Sequence, residues 1–179
     1  MTDVTENGLR AAVKALTDIV APAISHTDPL AIEQLRLVVD YLEFVRRRLD
    51  FLHDRDRFEL DHHLAMARAL DELGAPGSDH TMVLLKSALE DGANTQALPA
   101  ASSPELKSAA AALAAAIREL IRESAGFDAQ IRRRVERCVL DGTDARIMFD
   151  RAWYLPLGFD PAGGEVPALA DLLAKAPSG

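Results

Sequence analysis

Residues 29–73 read PLAIEQLRLVVDYLEFVRRRLDFLHDRDRFELDHHLAMARALDEL. Within them Leu35, Val38, Leu42, Val45, Leu49 and Leu52 recur at alternating spacings of three and four, the period at which one face of an α-helix meets its neighbours. Asp28 before Pro29 supplies an N-cap followed by proline at the first helical position, where the missing N–H has no helical partner to lose. The same count then reaches Asp56, Glu59 and His63 before Met66, Leu70 and Leu73 restore the apolar stripe. Two readings follow. An unbroken helix to Leu73 would be roughly 67 Å long at 1.5 Å per residue, against roughly 40 Å for a compact domain of this size, and demands an elongated bundle. A break near His53 and Asp54 instead makes Asp56 a new N-cap with Glu59 at the third helical position, a variant of the capping box.

On the N-terminal side, Leu9, Val13, Leu16 and Val20 predict a helix starting after Thr5 and stopping near Pro22. On the C-terminal side, Gly74-Ala75-Pro76-Gly77-Ser78 is a turn, and a helix from Asp79 to Asp91 is expected to close at Gly92. Ala93 to Ser102, small and polar with Pro99, reads as a flexible link joining halves 1–92 and 103–179 of a single helical domain. Ser103-Pro104-Glu105 is a further cap, followed by the stripe Leu106, Ala110, Leu113, Ile117 and Leu120, which ends or bends at Gly126. Phe127, Ile131, Val135 and Cys138 continue the period to Gly142, where Thr143 or Asp144 is placed to cap another helix through Trp153. An irregular arm from Leu155 through Gly164 and a last short helix from Pro167 to Lys175 complete the chain. The fold class expected is all-α, an antiparallel helical bundle of about six to seven helices with an irregular C-terminal arm. The match of Val45–Asp50 to Ile131–Glu136 decays on both sides and is read as coincidence in an arginine-rich helical chain.

The 179 residues are 49% apolar, enough to bury a core, and the net charge of −8 offers no broad basic surface for nucleic acid or an anionic membrane. Neither is expected as a partner. One cysteine, Cys138, excludes an intramolecular disulfide, and the polar start Met1 to Glu6 shows no signal peptide, which places the protein in the cytoplasm. The most alanine-rich stretch, Ala109 to Ile117, is about half a bilayer span and is flanked by Lys107 and Arg118.

Chemistry-bearing side chains concentrate between His53 and His63. Glu59-x-x-His62 is the half-site of dinuclear carboxylate bundles, but no second Glu-x-x-His exists in the chain, and no histidine follows His80. A mononuclear site from Asp56, Glu59 and His63, or from His62 with a distant partner, stands against a plainer reading of helix caps and a solvated face. Three consecutive arginines on a helix, 46–48 or 132–134, span about 200° and bring at least one guanidinium near the seam, where it can pair with a carboxylate or take an anionic ligand. Trp153 and Tyr154 either line an apolar pocket or anchor the arm that follows. No His-Glu-x-x-His, paired Cys-x-x-Cys, glycine-rich phosphate loop or Gly-x-Ser-x-Gly elbow is present. The chain is therefore expected to act by binding, as a homo-oligomer or accessory subunit, with no catalytic or metal-ligand set and no cofactor named. The rival is a small-ligand or metal-dependent enzyme whose polar site is Asp56, Glu59, His62 and His63, assisted by Arg46 or Arg134.

Overall fold

The computed structural model describes residues 4–174, of which α1 (Val4–Ala15) is the first element. It continues through a π-helical turn, Leu16–Val20, into α2 (Ala21–Ala23), which contains Pro22 and ends where Ile24 turns to extended backbone. The stop expected near Pro22 is in place. α3 (Pro29–Arg48) is capped by Asp28, whose carboxylate accepts from the Ala31 N–H at 3.0 Å. A single 3₁₀ turn, Leu49–Phe51, separates it from α4 (Leu52–Glu72).

That turn revises both readings of the interrupted seam. The helix is not unbroken to Leu73, and the break lies at Leu49–Phe51 rather than at His53 and Asp54, with Arg48 at φ −108° and ψ −6°. Asp56 is no cap: it sits inside α4 and is 6% exposed. The buried stripe of α4 also departs from the expected count, because alternating spacings of three and four keep a 3.5-residue period that drifts about 20° per heptad from a 3.6-residue helix. Beyond the turn it runs Asp56, Leu60, Leu64, Ala67 and Leu70, and Glu59 and His63 fall beside it.

α5 (Asp79–Gln96) passes straight through Gly92 instead of ending there. Gly92 is buried because a Cβ would stand 2.9 Å from Leu113 Cδ1 and 3.0 Å from Leu64 Cδ2, so this glycine permits close helix packing and caps nothing. The connection after it is tied down: Arg57 donates to the Leu98 and Pro99 carbonyls at 3.0 and 2.9 Å, and Ala101 is buried. α6 (Ser103–Ser124) is capped one residue earlier than expected, by Ser102, whose N–H and Oγ both donate to Glu105 at 2.7 Å. α7 (Ala129–Tyr154) begins at Asp128, which accepts from the Gln130 and Ile131 amides. It continues unbroken past Gly142, so Thr143 and Asp144 cap no new helix; the Thr143 hydroxyl donates to the Val139 carbonyl instead. After 3₁₀ turns at Leu155–Leu157 and Gly163–Glu165, α8 (Leu169–Ala174) ends the described chain, and Lys175 lies outside the described residues. The described residues are 83% helical, with no strand among them, so the all-α class stands.

Two compact units result. One comprises the described part of Met1–Leu52 with Trp153–Glu165, the other His53–Ala152 with the described part of Val166–Gly179; the connection at 97–102 lies within the second. In the first unit α1 packs on α3, Phe44 and Trp153 are buried, and Arg48 donates to the Trp153 carbonyl at 2.9 Å. In the second, α4 to α7 alternate in direction. Leu64 meets the Gly92 region of α5, the Gln96 amide donates to Asp61 at 2.7 Å, and Phe58, Glu59 and Met66 meet Phe149, Arg146 and Gly142 in reverse order along α7. Fully buried Leu60, Leu64, Leu85, Leu106, Leu113 and Leu120 form its core. No helix among the described residues is long and apolar enough to cross a membrane.

Candidate functional site: a groove between α4 and α7

With Asp56, Leu60, Leu64, Ala67 and Leu70 turned into the core, the neighbouring face of α4 carries Phe58, His62, Ala65, Met66 and Ala69, with Leu73 just past its end. Along α7 the facing positions are Arg134, Arg137, Cys138, Asp141, Gly142 and Ala145. Between the two helices lies an open groove of about 790 Å³. Its depth comes from small residues: Ala65 and Ala69 on one helix, Gly142 and Ala145 on the other. At Gly142 a Cβ would stand 2.9 Å from Met66 Cε, so this glycine gives the methionine side chain its room. By the reversed order of contacts, Phe58 and His62 stand toward Ala145 at one end, and Glu72 and Leu73 toward Arg134 at the other.

His62 is the polar side chain best placed in this groove. Burial of the ring, reinforced by the charges of His63 and Arg146 and opposed by Asp150, lowers its pKa from 6.5 to about 4, so the imidazole is neutral at pH 7. It stacks against Phe58 with centroids 6.3 Å apart, and Phe58 stacks on Phe149 at 3.8 Å. No hydrogen bond engages either ring nitrogen of His62 among the described residues.

The linkage is specific. Native His62 titrates near pH 4 and the unfolded residue near 6.5, so between these values the unfolded chain binds more protons; stability rises with pH through this window and is lost as pH falls from 6.5 toward 4. An unscreened shift would be worth ~3 kcal/mol, and for a half-exposed ring about 1–2 kcal/mol is expected. Asp61, whose carboxyl is raised by burial against the pull of Gln96, contributes with the opposite sign. Urea unfolding of wild type and His62→Gln at pH 7 and 4.5 isolates the histidine, since Asp61 is common to both. Parallel losses in the two proteins would contradict the assignment.

Beside the groove Arg146 bridges two carboxylates, Glu59 on α4 and Asp150 on its own helix, the latter at 2.9 Å. Burial alone would depress its pKa, but hydrogen bonding and charge from Asp150 and Glu59 hold it above the ordinary arginine value. The other Asp150 oxygen, Oδ1, is buried without a hydrogen-bond partner. His63 donates Nδ1–H to the Glu59 backbone carbonyl at 2.7 Å, which fixes its tautomer.

The residues singled out from sequence therefore disperse. His62 and Arg134 line the groove. Glu59 and His63 stand beside it, engaged by Arg146 and by a backbone carbonyl. Asp56 points elsewhere in the bundle, 3.5 Å from Lys107 of α6. Arg46 belongs to the first unit, where Glu43 and Glu6 hold it at 2.9 and 3.2 Å.

No family model, curated protein or solved structure matches this chain.

Among the described residues no three histidine, cysteine or acidic side chains converge as a metal-ligand set. Burial and the charge of Asp141 raise the Cys138 pKa, so its thiol is protonated at neutral pH and lacks an activating base within hydrogen-bond reach. Sequence reasoning missed Arg146, Asp150 and Arg137. The i, i+4 pair Arg146 and Asp150 was the signal available for two of them.

Proposed function

We propose that this chain works by binding rather than catalysis, as a cytoplasmic homo-oligomer or accessory subunit, and that the α4–α7 groove receives a small ligand with an apolar body. The observation that carries this reading is the groove's composition: alanines, Met66, Leu73 and Phe58 around a space of about 790 Å³, with a few unengaged polar groups at its rim. Ligand sites have this size and this ratio of apolar wall to polar anchor. Net charge −8 supports a partner that is neither nucleic acid nor a membrane surface.

Self-association has its own support in the first unit. α1 buries no residue fully, α3 buries only Phe44, and Leu30, Val38 and Tyr41 of α3 are 69%, 48% and 58% exposed. Asp28 and Glu33 stand early in α3 and Arg47 late, so antiparallel packing against a second copy brings opposite charges together.

Titration of the full chain with the neutral dye Nile red tests the groove. Fluorescence is expected to rise in wild type and to be lost in Ala69→Trp, whose indole fills the groove without entering the core. Native mass spectrometry of the same sample is expected to give a dimer. Equal dye response in both proteins would overturn the groove reading, and a monomer at micromolar concentration would remove the self-association half.

A further inference from the structure

The two ends of the groove differ in the cations they offer, a pair of guanidiniums at one and an uncharged imidazole at the other, and the difference points to a ligand class. Arg134 and Arg137 are three residues apart on the same face of α7 and both line the groove. Both are exposed, and no carboxylate lies within ion-pair distance of either among the described residues. Other arginines of this helix are engaged: Arg132 with Glu136 at 3.6 Å, and Arg146 with Glu59 and Asp150. At the far end the only basic side chain lining the groove, His62, carries no charge at neutral pH. Phe58 and Ala145 surround it there.

We infer that the groove binds a long-chain monocarboxylate, its head on Arg134 and Arg137 and its alkyl tail lying along Ala69, Met66 and Ala65 toward Phe58. This assignment rests on the groove being a ligand site, and it adds the polarity of the ligand. From Leu73 to Phe58 the wall of α4 extends roughly 22 Å at 1.5 Å per residue, the dimension of an extended amphiphile and far more than a compact polar metabolite needs. Guanidinium pairs match a carboxylate in a two-pronged hydrogen-bonded geometry. Three acids also line the groove, and they limit the head group. Asp61 is at the tail end and accepts from Gln96, while Glu72 and Asp141 are exposed near the arginines. Their negative charge, screened by water, still disfavours a dianionic head such as a phosphate monoester over a singly charged one.

The experiment is calorimetric titration of the full chain with dodecanoate, with neutral dodecanol and with cationic dodecyltrimethylammonium, each below its micellar range. Each ligand is also tested for slowing of maleimide alkylation at Cys138, the only thiol in the chain and a groove residue. Dodecanoate is expected to bind tightest, to protect Cys138, and to weaken about tenfold in Arg134→Gln/Arg137→Gln, a change at two exposed positions that leaves the core intact. Dodecanol binding should be the same in wild type and variant. Across a homologous series, each added CH₂ should tighten binding about three- to fourfold.

If dodecanol and dodecanoate bind alike and the double variant changes neither, the head-group assignment fails while the groove stands as an apolar site. If the ammonium amphiphile binds tightest, Glu72 and Asp141 take the head and the assignment is overturned. If none of the three protects Cys138, the groove reading itself fails with it.

Discussion

Phe149→Ala is expected to lower the unfolding free energy by about 3–5 kcal/mol, the range for deleting a fully buried phenylalanine when its neighbours collapse only in part. Phe149 has no exposed surface and stacks on Phe58 with ring centroids 3.8 Å apart, so truncation removes both the buried area and the partner that holds Phe58 against the bundle. For a chain of this length the melting temperature should fall by roughly 6–20 °C. Urea denaturation followed by circular dichroism reads the loss. The only tryptophan, Trp153, belongs to the first unit and gives a second signal from the same samples. Coincident transitions would mean that the two units unfold together. A loss under 1 kcal/mol would show that this end of α4 and α7 closes over the gap.

Arg146→Ala is the second large effect. The guanidinium pairs with both Glu59 and Asp150, whose side chains are 19% and 35% exposed, and Asp150 Oδ1 already lacks a partner. Removing the cation leaves two part-buried carboxylates without their shared partner. A fully buried pair broken in this way costs more, so about 2–3 kcal/mol is expected here after allowing for the water that reaches the site. Glu59→Gln in the Arg146→Ala background should recover part of the loss, and the double-mutant cycle should give a coupling of about 1 kcal/mol or more. Additive effects would mean that the bridge is solvent-screened and structurally idle.

Much of the helical plan was legible because its signals are local. Asp28 before Pro29, the turn at Gly74–Ser78 and the period of Leu106, Ala110, Leu113, Ile117 and Leu120 act through backbone hydrogen bonds and burial that a short window of sequence contains. The errors came where a local signal served a distant partner. Gly92 and Gly142 look like helix ends, yet each lies within a helix where a side chain from elsewhere, Leu113 or Met66, needs the space. Asp56, Glu59 and His63 looked like a polar gap in the seam because the count kept a strict 3.5-residue period, which drifts about 20° per heptad from a 3.6-residue helix and stands roughly 80° off the core by His63. At 3.6 residues per turn the positions one residue later, Leu60 and Leu64, take the core. His62, chosen for its spacing from Glu59, is at the groove for another reason, its place on the face of Phe58 and Ala69. Arg146 and Asp150 form an i, i+4 pair that the sequence does show, but it is one of several on arginine-rich helices, and the partner that singles it out, Glu59, is visible only once the facing helix is known.

The glycine at position 142 sets stability against selectivity within one residue. In the middle of a long helix, alanine is worth about 1 kcal/mol more than glycine, so drift toward alanine is the thermodynamically downhill direction. The added methyl would meet Met66 Cε at 2.9 Å and push that thioether into the groove, narrowing it without altering any charge at its rim. Alanine at this one position would thus trade a wider groove for a more rigid helix, and under the proposed ligand reading a change in what the groove admits would register first as a gain in melting temperature.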